Sequence, residues 1–326
     1  MKKTAISAAI LLATAGAAQA QLSIYGLVDA SYGKSLFSAK GQAKSKADFH
    51  SGGDNDSSEG NSTTRVGIKG SVDVGSGIKA NFRFETGGIT SDGEVNPGGA
   101  FFNRQAWFGL SGGFGELRLG RQDSVAFQQL IDFDFNGASN GVSAGAYSGV
   151  GVWLPGRQSR SLQYISPSMG GFVAQIGFQP KGDNEVRNQP DAKAVASAAV
   201  KYTAGPLSVG ASFQTKGTSS GENFASVAGS YDFGVAKVML GYADVGADSG
   251  PTLGVNVPVA GFNIGAHVSS NRDKADKVTA AELWINKEIF KNTYAYAEVG
   301  RLDSDKVLSS GKKKVSGYAA GLIFVF

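Results

Sequence analysis

Arg65-Val66-Gly67-Ile68-Lys69-Gly70-Ser71-Val72-Asp73-Val74-Gly75-Ser76-Gly77-Ile78-Lys79-Ala80-Asn81-Phe82-Arg83-Phe84-Glu85 alternates apolar and polar residues almost without a break. Val66, Ile68, Val72 and Val74 fall on one face, and Arg65, Lys69, Ser71 and Asp73 on the other. Beyond Gly75-Ser76-Gly77, Ile78, Ala80, Phe82 and Phe84 oppose Lys79, Asn81, Arg83 and Glu85. A period of two is the strand signature, and three small residues between such runs make a tight hairpin turn. A soluble sheet alternates too. Here the polar faces carry charge at nearly every position, which suits a wall with lipid on one side and water on the other.

The same period continues through the chain. Leu22, Ile24, Val28, Ala30 and Tyr32 oppose Ser23, Tyr25, Asp29 and Ser31. Phe172, Ala174, Ile176 and Phe178 form one later face; Val209, Ala211 and Phe213 form another, and Ala236, Val238, Leu240 and Tyr242 a third. Short connections lie at Gly75-Ser76-Gly77, Gly112-Gly113, Gly205-Pro206, Gly234, Ala260-Gly261 and Lys291-Asn292. Long polar stretches lie at 33–62, 87–100, 121–158, 180–192, 216–223, 244–251, 270–277 and 301–314. Eight long loops alternating with short turns require sixteen strands to close the ring. The expected fold is therefore all-β, a sixteen-stranded antiparallel transmembrane β-barrel, wide enough for an aqueous channel. Tyr294 and Tyr296, close to a short turn, suit an aromatic girdle at the membrane rim.

The ends agree with export to an outer membrane. Lys2 and Lys3, the apolar run Ile6–Ala15 and Ala18-Gln19-Ala20 read as a secretory signal peptide over residues 1–20, too short to span a bilayer as a helix. Residues 21–326 then form one barrel domain. At the other end Tyr318, Leu322, Phe324 and the terminal Phe326 share a face, as in a final strand that directs barrel assembly. The chain has 47 Gly and no Cys, which argues against helical repeats and rules out disulfides. Its 31 basic and 27 acidic residues are too evenly balanced for a nucleic-acid binder. With no Cys and only His50 and His267, far apart in sequence, no metal site of the His- or Cys-rich kind and no cofactor is expected.

Three stretches resemble the Gram-negative porins of the neisserial and betaproteobacterial type. They are Leu22-Ser23-Ile24-Tyr25-Gly26-Leu27-Val28-Asp29; Asn103-Arg104-Gln105-Ala106-Trp107-Phe108-Gly109-Leu110 with its continuation to Leu119-Gly120-Arg121-Gln122; and Tyr164-Ile165-Ser166-Pro167 followed by Gly170-Gly171-Phe172. The first half of the chain carries the resemblance, and the second half is supported by pattern and length. The chain departs from the family in ending Phe324-Val325-Phe326 and in carrying Arg160 where the family usually has Asn. The resemblance implies a homotrimer in outer-membrane lipid and lipopolysaccharide, with loop 3 folded into the lumen. It also implies passive diffusion of small hydrophilic solutes and ions.

A diffusion pore needs a narrow place where charge and size are sensed. The longest loop, 121–158, is the constriction candidate, with acids at Asp123, Asp132 and Asp134. The resemblance sets a basic ladder of Arg65, Arg104 and Arg157 opposite Asp132 and Asp134. Strand parity puts Arg65 on the polar face and Arg157 in step with Gln163. Arg104 shares parity with Ala106, Phe108 and Leu110, a face that would then be an apolar inner wall receiving loop 3. Lys69, Lys79 and Arg83 extend a basic path along the lumen. An excess of basic groups there would favour anions. Arg121 has outward parity and, by the resemblance, lies toward a neighbouring subunit; Asp92 or Glu94 on loop 2 is a candidate latch. Asp48, Asp54, Asp56 and Glu59 match no defined calcium loop and are expected to be solvated.

The competing readings are weaker. A substrate-selective channel would show an aromatic track or a dense basic pocket. An enzyme needs an activated nucleophile beside a base; His267 has lumen parity, but no serine pattern accompanies it. Moderate loop lengths do not call for an adhesive role.

Overall fold

The computed structural model describes residues 21–36, 46–97, 99–150, 156–181, 192–218, 221–246, 249–272, 277–306 and 312–326. The expected signal peptide, residues 1–20, lies outside the described residues. Among them no helix is long and apolar enough to cross a membrane.

The chain crosses with strands. In order they are β1 (Gln21–Lys34), the short β2 (Asp48–Ser51), β3 (Arg65–Gly75), β4 (Ile78–Gly87), β5 (Gln105–Gly112), β6 (Gly115–Asp123), β7 (Arg157–Ile165), β8 (Phe172–Gln179) and β9 (Val195–Ala204). Then follow β10 (Leu207–Gln214), β11 (Phe224–Asp232), β12 (Lys237–Asp244), β13 (Gly250–Val259), β14 (Phe262–Ser270), β15 (Val278–Phe290), β16 (Thr293–Ser304) and β17 (Lys314–Val325). From β3 onward each strand pairs antiparallel with the next, and β17 returns to β1. The ring is closed by sixteen wall strands. Closure leaves no unpaired strand edge in hydrocarbon, where an unsatisfied backbone group is costly.

β2 explains the extra strand. β1 pairs with β3 through Gln21–Leu27 and with β2 through Ala30–Gly33. The two behave as one wall strand interrupted by an excursion, residues 52–64, which leaves the wall opposite Val28 and Asp29. Seam closure falls at the chain's end. Phe326 and Gly26 exchange backbone hydrogen bonds of 2.9 and 3.1 Å. Gly26 is required there: a Cβ would sit 2.3 Å from the Phe326 ring and 2.7 Å from the Arg65 carbonyl oxygen.

The expected alternation is present throughout. Ile24 is 66% exposed and Leu119 58%, while Asp29 and Gln163 on the opposite faces are buried. The molecule is apolar outside and polar within, the reverse of a soluble domain. Two expectations fail. Phe108 and Leu110 are exposed on the outer face, so the face carrying Ala106, Phe108 and Leu110 meets lipid and receives no loop. Tyr296 is buried and points inward: its hydroxyl donates to Asp29 Oδ1 at 2.9 Å and accepts from the Asn61 N–H at 3.1 Å. Tyr294 shares that parity, and so neither belongs to a rim girdle.

Replacing Gly26 with Val is expected to cut the folded fraction sharply, because the clash strikes a carbonyl as well as a ring. The check is the share of protein running as the compact band in unheated detergent gels. An unchanged compact band would contradict this account of the seam.

Candidate functional site

Loop 3 leaves the wall at Asp123 and returns at Arg157. These two residues face each other in the β6–β7 register, and Arg157 Nε lies 3.0 Å from Asp123 Oδ1. The Ser124 N–H donates to the Gly156 carbonyl at 2.9 Å, closing the root of the loop. Ser124 then caps helix α1 (Val125–Ile131) by accepting from the Phe127 N–H. A second short helix, α2 (Ala144–Tyr147), is capped by Ser143.

Buried polar contacts hold the loop against the wall. Gln129 of α1 accepts from Ser212 and Ser226 of β10 and β11 at 3.2 and 2.7 Å. Ser139 donates to Glu298 at 2.7 Å, and the Ala144 N–H donates to Glu282 at 2.9 Å. Ser148 meets Ser269 of β14 at 2.9 Å. These wall residues lie on the faces opposite the exposed apolar ones, so loop 3 lies inside the barrel along β8–β16. The excursion 52–64 seals the far end. The Gly141 N–H donates to the Gly60 carbonyl, and Asn61 Nδ2 reaches both Asn136 and Glu298. The Tyr147 hydroxyl donates to the Asn140 carbonyl; burial, with Glu59 and Glu298 nearby, pushes it far above the ordinary tyrosine range, which keeps it a donor.

Across the lumen from β8–β16 stands a basic wall. Glu85 is its centre. It accepts from Arg83 Nη2 at 2.7 Å, from Arg104 Nε at 2.6 Å and from the Tyr25 hydroxyl at 2.7 Å. Arg83 Nε donates to the same tyrosine oxygen at 2.5 Å. Lys69 and Arg83 lie over the Tyr25 ring at 5.3 and 4.9 Å. Arg65 donates to Ser62 Oγ and the Thr63 carbonyl at 3.2 and 3.0 Å. Arg104 is within electrostatic reach of both Arg65 and Arg157. Arg65, Arg104 and Arg157 are thus brought together, with Arg83 and Lys69 alongside. Lys79 lies farther down β4, opposite Asp73 and Ser111. Arg118, stacked over Trp107 at 4.6 Å and paired with Glu116, adds a basic group that the sequence reading did not single out; its even parity in β6 was the available signal.

Three placements differ from expectation. Arg104 precedes β5, so strand parity does not govern it; its side chain runs over Gly87, where a Cβ would meet its Cδ at 2.3 Å. Arg157 was counted in step with Gln163, but the β6–β7 register slips between them. Arg160 there adopts φ 49°, a left-handed conformation that Asn tolerates better than most residues. Gln158, Ser161 and Gln163 are the buried residues of that strand. Finally, Asp132 and Asp134 do not meet the arginines. Asp132 pairs with Lys201 of β9 at 2.6 Å, and Asp134 is buried near His267 of β14. The acids that do meet the arginines are Glu85 and Asp123.

Arg121 points away from the lumen and bonds the Asn103 carbonyl and Ser159 at 2.5 and 2.8 Å. Glu94 is exposed in a loop 2 turn closed onto Thr90. In loop 1, Asp54 is occupied by Ser51 and Ser91, and Glu59 by Asn55 and Ser35.

A closed wall with a charged interior, narrowed by a segment held along one side, defines a membrane channel for passive diffusion. The chain belongs to the Gram-negative porin family, which it matches over residues 6–307. It is 28% identical to outer membrane porin protein 32 of Delftia acidovorans, covering 99% of this chain and 95% of that protein. It is 32% identical to an outer membrane porin protein of Bordetella pertussis, over 74% of this chain and 69% of that one. In structure it is similar to an anion-selective porin from Comamonas acidovorans, with a TM-score of 0.75 at 23% identity over 94% of this chain and all of that one.

Replacing Glu85 with Gln leaves two guanidiniums, Arg83 and Arg104, and the Tyr25 hydroxyl around a neutral amide. Breaking a buried ionic cluster on one side is expected to cost about 3 kcal/mol. The heat-unfolding midpoint of the detergent-solubilised barrel should fall accordingly; an unchanged midpoint would show that solvent already neutralises the cluster.

Proposed function

We propose that this porin is an anion-preferring general diffusion channel, working as a homotrimer in the outer membrane after cleavage of residues 1–20. One asymmetry carries the reading. The wall opposite loop 3 presents Arg65, Lys69, Lys79, Arg83, Arg104 and Arg118, with Glu85, Glu116 and Asp73 as partial counter-charge. The loop's own acids are engaged elsewhere, Asp132 by Lys201 and Asp134 in a buried site. A lumen passing between the two is therefore lined by more positive than negative charge. Arginine stays charged at any relevant pH, and a confined channel with low-dielectric walls screens its field less than an open surface does.

Selection by field and width supports general diffusion of small hydrophilic anions over a substrate-selective channel. The pore constriction is assigned to Arg65, Arg104 and Arg157 together with Arg83. Asp132 has a lesser share, and Asp134 supports the loop from behind. The trimer reading rests on the family. In it Arg121 stiffens the outward side of the loop 3 root and Glu94 offers a loop 2 contact to a neighbouring subunit. This function calls for no catalytic step: a diffusion path requires binding that is weak enough to release.

The reading is tested by the zero-current potential of the protein in a planar bilayer across a KCl gradient. The expected sign is that of chloride preference. Arg83→Gln with Lys69→Gln should lower the chloride-to-potassium permeability ratio by roughly twofold, as removal of two lumen charges implies. Cation preference in the unaltered protein would overturn the assignment.

A further inference from the structure

Behind loop 3 lies a second polar centre that diffusion does not use. Asp134 from the loop, His267 from β14 and Glu282 from β15 are all buried, and one ligand-capable atom of each lies within 4.8 Å of the other two. His267 Nδ1 is 3.2 Å from Glu282 Oε1 and 3.9 Å from Asp134 Oδ2. Nδ1 is within ion-pair distance of Glu282 but is not aligned for a hydrogen bond, although His267 is only 4% exposed. A buried ring nitrogen without an aligned hydrogen bond is costly. Its position between two carboxylate oxygens points to an absent partner that accepts lone pairs from all three.

The surroundings favour a cation. Asn136 Nδ2 donates to Glu282 Oε2 at 2.8 Å and to Glu298 Oε2 at 3.1 Å, which sets a third buried carboxylate beside the first two. Among the described residues no Lys or Arg ion pair reaches Asp134, Glu282 or Glu298. Buried charge is tolerated when paired or bound to metal.

The donor set indicates which cation. One imidazole and two carboxylates suit zinc-class transition metals, whereas calcium and magnesium take oxygen ligands. Zinc bonds of about 2.0–2.2 Å give ligand-to-ligand edges of about 3.3–3.5 Å, close to the 3.2 and 3.9 Å seen here. His267 Nε2 is engaged with the Thr252 hydroxyl. That contact fixes the ring and leaves Nδ1 as the metal-binding nitrogen, the usual outer-shell arrangement. Asp134 is oriented by the Asn136 N–H at 3.0 Å, and Glu282 by the Ala144 N–H. A cavity of about 30 Å³ borders Asp134 and His267, room for one water beside them.

We propose that Asp134, His267 and Glu282 form a binding site for a zinc-class divalent cation that fastens loop 3 to the barrel wall. Because Asp134 belongs to the loop and the other two to the wall, binding joins elements far apart in the chain. The inference stands apart from ion preference, since the site lies on the side of loop 3 away from the basic wall.

The test uses the folded full-length barrel, loaded with Zn²⁺, desalted, and measured for retained metal and for its X-ray absorption spectrum. The expected result is one zinc per chain with one imidazole in its coordination shell. Having only two histidines makes the assignment direct. His50 lies 3.8 Å from Asp54 and 3.9 Å from Glu59 and is the natural decoy. His50→Gln should keep the zinc and its imidazole signature, whereas His267→Gln should lose both. Thr252→Val should weaken retention by about tenfold. No zinc retained by the unaltered barrel would overturn the proposal. So would loss of the imidazole signature in His50→Gln, a result that holds even if His267→Gln fails to fold.

Discussion

The architecture depends on the backbone's need for hydrogen bonds where no water can supply them. Sixteen wall strands satisfy that need only as a closed ring, and the ring closes through Phe326 and Gly26. With closure set, alternation dictates the rest: each strand must send one set of side chains to lipid and the other inward. The inward set is polar because the barrel is too wide for side chains to fill. Loop 3 occupies part of that space and turns wide plumbing into a narrow, charged passage.

Two chemically distinct interfaces divide the interior. Along β8–β16, carboxylates, serines and amides bind loop 3 and bury its polar groups. Along β3–β6, arginines and lysines remain on the side away from the loop and share Glu85, Glu116, Asp123 and Asp73 as counter-charges. Glu282 and Glu298, which hold loop 3, thus lie on one side and the arginine cluster on the other. The acids on one side position the loop and the bases on the other face the passing ion, so selectivity and loop placement draw on separate sets of residues.

Much of this was legible in the chain because lipid imposes a strict period. Arg65–Glu85 reads as a lipid-facing hairpin, and among the described residues the long stretches lie between wall strands, except that Asp48–Ser51 within the first forms β2. Parity failed wherever the chain leaves regular pairing. Arg104 precedes its strand and slides across Gly87, a contact between positions that no periodic count relates. Arg157 is separated from Gln163 by the left-handed backbone at Arg160. Asp132 and Asp134 were read as facing the arginines, yet a loop's destination is set by tertiary partners such as Lys201 and His267. Arg83 looked like one lumen residue among several; only the fold shows it sharing Glu85 and Tyr25 with Arg104.

The central claim is that loop 3 rests against the β8–β16 side of the lumen while the channel conducts. The chain has no cysteine, so one introduced pair reports on this without interference. Ser148 of the loop and Ser269 of β14 place their hydroxyl oxygens 2.9 Å apart, and cysteines there would hold their sulfurs within reach of a disulfide. Ser148→Cys with Ser269→Cys should oxidise almost completely, and the cross-linked channel should conduct as the reduced one does. A pair that stays reduced, or a cross-link that abolishes the current, would contradict the account.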